Sequence, residues 1–134
     1  MKLFLDTADV DSISDSFLTG LIDGVTTNPT LMMKSGKNPE DVYQDLINLG
    51  VPDISMEVVG DSYEMIQEGL RLFEKFGQQA TIKVPCTPDG LIACRELSRN
   101  LVKVNVTLIF SPSQAILSAN CLLYTSPSPR DSFR

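Results

Sequence analysis

The chain contains no histidine and no tryptophan, and its three cysteines, Cys86, Cys94 and Cys121, show neither paired nor metal-ligand spacing. Without an imidazole there is no Ser-His-Asp or Cys-His nucleophile system, and no zinc site is expected. Basic residues are also scarce: 11 Lys and Arg stand against 17 Asp and Glu, a formal net charge of -6. That balance argues against the clustered cationic surface that phosphate backbones or anionic membranes attract, so neither nucleic acid nor a membrane is expected as a partner. No apolar run approaches the ~20 residues that span a bilayer, and Met1-Lys2 leads straight into a strand pattern without a secretory core. The cytoplasm is the expected location.

What is present is one domain's worth of residues at most, built from short strand-like runs separated by helical patterns. The most informative run is Thr81-Ile82-Lys83-Val84-Pro85, which sets an ammonium between two apolar residues. Strand side chains alternate between faces, so Ile82 and Val84 share one face while Thr81 and Lys83 share the other. In a parallel sheet covered on both sides such a lysine has no route to water. Desolvation would then disfavour its charged form and leave an amine able to attack carbonyls. The parity recurs: Leu3-Phe4-Leu5-Asp6, Gly24-Val25-Thr26-Thr27-Asn28, Ile54-Ser55-Met56-Glu57-Val58 and Val104-Asn105-Val106-Thr107-Leu108 each combine an apolar face with a polar ending. Asp6, Asn28, Glu57, Lys83 and Thr107 thus come at or near the C-terminal ends of the strands.

Helical patterns fill the gaps. The first runs from about Ala8 to Thr19. Asn38 caps a second that has Pro39 at its first position, Val42, Leu46, Ile47 and Leu49 as its buried stripe, and Gly50 closing it. Asp61 caps a third, in which Tyr63, Ile66, Leu70 and Phe73 form the core stripe before Gly77. A fourth spans about Thr87 to Asn100, and Ser111-Pro112 starts a fifth containing Ala115, Ile116 and Leu117. Strand and helix alternate at the spacing of short βα units, which predicts parallel order. An open doubly wound sheet and the first part of an eight-stranded barrel both fit. The polar C-terminal ends on one face favour the α/β fold of a (β/α)8 TIM barrel, of which about the first five βα units are present.

Five of these runs taken together, Leu5-Asp6-Thr7-Ala8, Gly24 to Thr30, Ser55-Met56-Glu57-Val58, Ile82-Lys83-Val84-Pro85 and Asn105 to Ser111, resemble in order the strand motifs of the transaldolase family. The resemblance covers residues 1–119 and implies a barrel enzyme of the pentose phosphate pathway. It would move a dihydroxyacetone unit from a ketose phosphate to an aldose phosphate through a lysine Schiff base, with no cofactor. Lys83 matches the Schiff-base lysine, Asp6 the proton-transfer residue, and Glu57 and Thr107 the pair that positions the catalytic water. Asn28 matches a donor to the dihydroxyacetone hydroxyls, and Thr27 and Asn105 join it as expected substrate-binding residues. Sugar phosphates are the implied partners, and the full-length protein is expected to be a homo-oligomer. The related fructose-6-phosphate aldolases carry glutamine where Glu57 stands, which favours transaldolase over the aldolase-like lyase.

Blander roles exist for the same residues. Asp6 could cap the first helix, Thr27 and Asn28 could serve the turn before Pro29, and Cys86 is by default a small buried hydrophobe. A non-enzyme rival is a receiver-like five-stranded regulatory domain. It wants paired acids after the first strand and a lysine after the fifth, whereas here Asp6 stands alone and the lysine is on the fourth.

Residues 120–134 break the pattern. The Ser-Pro repeats at Ser126-Pro127-Ser128-Pro129 do not suit a central strand. The segment resembles translated adapter or vector sequence and is expected to be a non-native or disordered tail. On that reading about three βα units of the barrel are missing. The family's phosphate-binding arginine then has no counterpart, and the chain would be a weakly active or inactive fragment.

Overall fold

The computed structural model describes residues 1–122. Strands β1 (Phe4–Asp6), β2 (Gly24–Thr26), β3 (Ile54–Glu57), β4 (Ala80–Pro85) and β5 (Lys103–Thr107) alternate with helices. These are α1 (Val10–Phe17), α2 (Pro29–Ser35), α3 (Pro39–Asn48), α4 (Ser62–Phe76), α5 (Pro88–Arg99) and α6 (Pro112–Cys121). Every helix start is fixed by a side chain that accepts from a backbone N–H of the first turn: Asp9, Asn28, Asn38, Asp61, Thr87 and Ser111 in chain order. Proline occupies the first turn of α2, α3, α5 and α6, where its missing N–H costs nothing.

All strand pairs are parallel, and their order in space, β1-β2-β3-β4-β5, is their order in sequence. This decides between the two architectures that the sequence allows. A doubly wound sheet reverses its strand order at a switch point, and the receiver fold is of that kind. A barrel adds each strand beside the last. The chain is therefore an α/β protein built as the first βα units of a TIM barrel, and among the described residues the sheet is not closed.

One face of the sheet makes the core. Val25, Ile54, Met56, Ala80, Ile82 and Val84 are fully buried, packed with Ile13, Val42, Leu46, Met65 and Leu97 of the helices. In β5 the alternation is plain: Val104 and Val106 are buried, while Lys103, Asn105 and Thr107 between them are partly exposed. The second face carries the polar residues.

Several local expectations need correction. The first helix runs from Val10 to Phe17 rather than from about Ala8 to Thr19, with Asp9 as its cap. The short α2 was not anticipated. In α4 the buried stripe is Met65, Gly69, Leu72 and Phe76, not Tyr63, Ile66, Leu70 and Phe73. Tyr63 is exposed, and the other three pack at the margin of the core. Helix α6 continues through Cys121 and Leu122 is buried behind it, so regular structure crosses the boundary drawn after residue 119. Residues 123–134, where the rest of the tail expectation falls, lie outside the described residues. No helix among the described residues is long and apolar enough to cross a membrane.

Candidate active site

Parallel register converts the sequence parity into a constellation. Lys83 of β4 stands directly between Glu57 of β3 and Asn105 of β5. In-register parallel neighbours share a face, so these three side chains line up across the polar side of the sheet, near the C-terminal ends of the strands. One step further on, Thr107 pairs with Pro85. At the other edge Asp6 pairs with Thr26. A cavity of about 540 Å³ opens over this row, walled by Asn28, Glu57, Lys83 and Thr107 together with Leu31 and Leu108.

Each member is held differently. Asp6 does not cap α1, since Asp9 does. Its carboxylate instead accepts from the Thr26 hydroxyl at 3.0 Å, and it stands exposed on the edge strand, outside the cavity wall. Asn28 is committed on one side only. Its Oδ1 accepts from the Leu31 N–H at 3.0 Å as the α2 cap, which leaves the amide NH2 free to donate into the cavity. Thr107 is anchored through its carbonyl, which accepts from Cys86 N–H at 2.8 Å. Leu108, at φ 64, then turns the chain out of the strand. Cys86 is buried with its Sγ 3.5 Å from Ser118 Oγ, in accord with its default packing role.

Lys83 is partly exposed rather than buried, because the face that it stands on is open among the described residues. Its Nζ donates to the Thr27 carbonyl in a long contact of 3.5 Å. Thr27 itself does not enter the cavity. Strand alternation turns its side chain to the helix-covered face, where it is fully buried and donates to the Ser55 carbonyl at 3.1 Å. As a direct substrate contact through its side chain it is therefore a correction. Asn105 shares the face but lies outside the cavity wall. Thr26, which sequence reasoning passed over, belongs to the site through Asp6. Its signal was available in its position two residues before Asn28, which strand alternation puts on the same face.

Burial pushes the Glu57 carboxyl above its ordinary value of 4.5, and the charge of Lys83 offsets this only in part. Folded Glu57 thus holds its proton more tightly than unfolded Glu57. Its contribution to stability is fully present below the unfolded value and is lost as pH rises through the raised folded one. Glu57→Gln should remove this dependence, so the variant should gain stability relative to wild type as pH rises through that window. Urea midpoints measured across a pH series test it, and a difference that does not vary with pH would contradict it.

No group of three or more His, Cys, Asp or Glu side chains able to hold a metal stands among the described residues. The arrangement offers an amine beside a carboxyl whose pKa burial raises, a second carboxylate on the neighbouring edge strand, and neutral donors between them. That set suits reversible imine formation with a carbonyl compound.

Comparison with known proteins bears on the same residues. The model of the family described as Transaldolase/Fructose-6-phosphate aldolase matches residues 3–128. A protein of Nitrosopumilus maritimus named "Probable transaldolase" is 47% identical over 95% of this chain and 58% of its own length. A protein of the same name from Anaeromyxobacter sp. is 50% identical over 95% of this chain and 59% of its own. One from Aquifex aeolicus is 43% identical over 95% of this chain and 59% of its own. The chain thus spans somewhat under two thirds of the length of these relatives.

Proposed function

The chain belongs to the transaldolase/fructose-6-phosphate aldolase family, and from that membership we propose that its site performs transaldolase chemistry on sugar phosphates. The Lys83 amine adds to the ketose carbonyl, giving a carbinolamine that loses water to form an iminium. Asp6 takes the proton from the hydroxyl on the β carbon. The bond between the α and β carbons breaks, its electron pair moves onto the iminium nitrogen, and an aldose phosphate leaves. The resulting enamine adds to a second aldose phosphate, Asp6 returns its proton to the new alkoxide, and water restores the amine. Glu57 and Thr107 hold that water between them. The protonated form of Glu57 can supply the proton that the departing carbinolamine hydroxyl needs.

The observation that carries this reading is the register Glu57–Lys83–Asn105 on one polar face, beside a cavity that Asn28 and Thr107 also line. The lyase alternative releases the dihydroxyacetone unit to water instead of to an acceptor, and the carboxylate at Glu57 favours transfer. The test is borohydride reduction of the 134-residue chain with fructose 6-phosphate, followed by intact mass and peptide mapping. A single reduced adduct on Lys83 supports the proposal. A folded chain with no adduct, or with one elsewhere, overturns it.

A further inference from the structure

Thr27 lies between Thr26, which serves Asp6, and Asn28, which walls the cavity, yet its own side chain faces away from both and is fully buried. Regular pairing of β2 with β3 ends at Thr26↔Ser55. One residue later the Thr27 hydroxyl takes over the tie by donating to the Ser55 carbonyl at 3.1 Å. The residue is thus held from the neighbouring strand on the buried face of the sheet. Its carbonyl is turned the other way, toward β4, and receives Lys83 Nζ at 3.5 Å. A residue so tightly anchored behind the sheet presents a fixed acceptor to the amine in front of it.

We propose that Thr27 is a positioning residue for Lys83: its buried hydroxyl fixes its carbonyl where it takes one N–H of the amine and so aims the nitrogen lone pair into the cavity. The inference rests on the Schiff-base reading of the site. A neutral amine has two N–H bonds and one lone pair. Directing one N–H backwards onto a carbonyl restricts where the lone pair points. At 3.5 Å the contact is long for a hydrogen bond, so it orients the nitrogen without holding it strongly enough to oppose its attack on a substrate carbon.

The experiment compares wild type, Thr27→Val and Thr27→Ser by the rate of borohydride-trapped adduct formation on Lys83 across a range of fructose 6-phosphate concentrations. Valine keeps the volume and loses the hydroxyl; serine keeps the hydroxyl. The expected result for Thr27→Val is a maximal rate lower by roughly ten- to a hundredfold, the effect of a small misplacement of a reacting group. The half-saturating concentration should hardly change, and Thr27→Ser should restore the rate. A purely structural role would lower the amount of reactive protein, followed by circular dichroism, without slowing the fraction that is folded. The proposal is overturned if folded Thr27→Val reacts at the wild-type rate, or if folded Thr27→Ser is slow. The second comparison stands even if the valine variant does not fold. An adduct in wild type that Thr27→Val leaves unchanged overturns the positioning role alone, whereas no adduct in wild type overturns the imine chemistry and this role with it.

Discussion

Lys83→Met should lower the fructose 6-phosphate adduct to background while leaving the fold in place. Methionine matches the unbranched shape of the lysine stem but has no amine, so no iminium can form at this position. The structural cost is small for a reason visible in the site. Lys83 is partly exposed on the open face and makes one long contact with the Thr27 carbonyl, so a stability change within about 0.5 kcal/mol is expected, as for surface positions generally. Equal circular dichroism spectra and urea midpoints would establish that the loss is chemical. Lys83→Arg should fail equally, because the guanidinium keeps the charge but stays protonated and has no lone pair to give. An adduct that persists in Lys83→Met would map to another lysine, with Lys37, which lines a cavity together with Asn28 and Glu57, as the first to inspect, and would remove Lys83 from its role.

The features that the sequence displayed openly were those with a short-range physical signature. Asn38-Pro39 and Ser111-Pro112 mark helix starts because cap and proline act within one turn. Polar strand endings mark the site because alternation acts within one strand. Asn28-Pro29 carries the same signature as Asn38-Pro39, yet α2 was missed. It follows a strand directly and buries only Met32, so no apolar stripe announces it. The α4 face was misread for a different reason. Two adjacent stripes of that helix are apolar, and the one that packs inward contains Gly69, which contributes nothing to a hydrophobic pattern but allows Leu97 and Ile82 to approach its backbone closely. The face of Thr27 was legible in its parity with buried Val25, whereas whether Lys83 is enclosed depends on long-range arrangement, on what stands opposite the sheet. The choice between barrel and doubly wound sheet was of the same kind, since it is a question of which strands are neighbours.

Gly90→Ala should destabilise the chain by ~2 kcal/mol, against what helix propensity alone suggests. In a helix interior, alanine is favoured over glycine by up to about 1 kcal/mol. At Gly90, however, a Cβ would be driven into the carbonyl of Pro85 and would also crowd the Thr87 hydroxyl. Both obstacles are already in use: the Pro85 carbonyl accepts from Thr87 N–H at 2.9 Å, and the Thr87 hydroxyl accepts from Gly90 N–H at 3.0 Å. A backbone carbonyl cannot rotate aside as a side chain can, so relief requires α5 to move off the end of β4. Overpacking of this sort costs about 1–3 kcal/mol or more and outweighs the gain in propensity. Gly69→Ala is the control. There the new Cβ would meet Leu97 methyl groups at 2.9 and 3.0 Å and an Ile82 methyl at 3.3 Å. These are side-chain ends that can give way, so crowding and propensity should nearly cancel, within about 1 kcal/mol. Urea midpoints for the two variants should therefore rank Gly90→Ala well below Gly69→Ala, and the reverse order would show that α5 is not clamped against β4. The same displacement should reach the chemistry. Pro85 pairs with Thr107 and lies two positions beyond Lys83 on the same face, so the folded fraction of Gly90→Ala should form the Lys83 adduct more slowly than Gly69→Ala does.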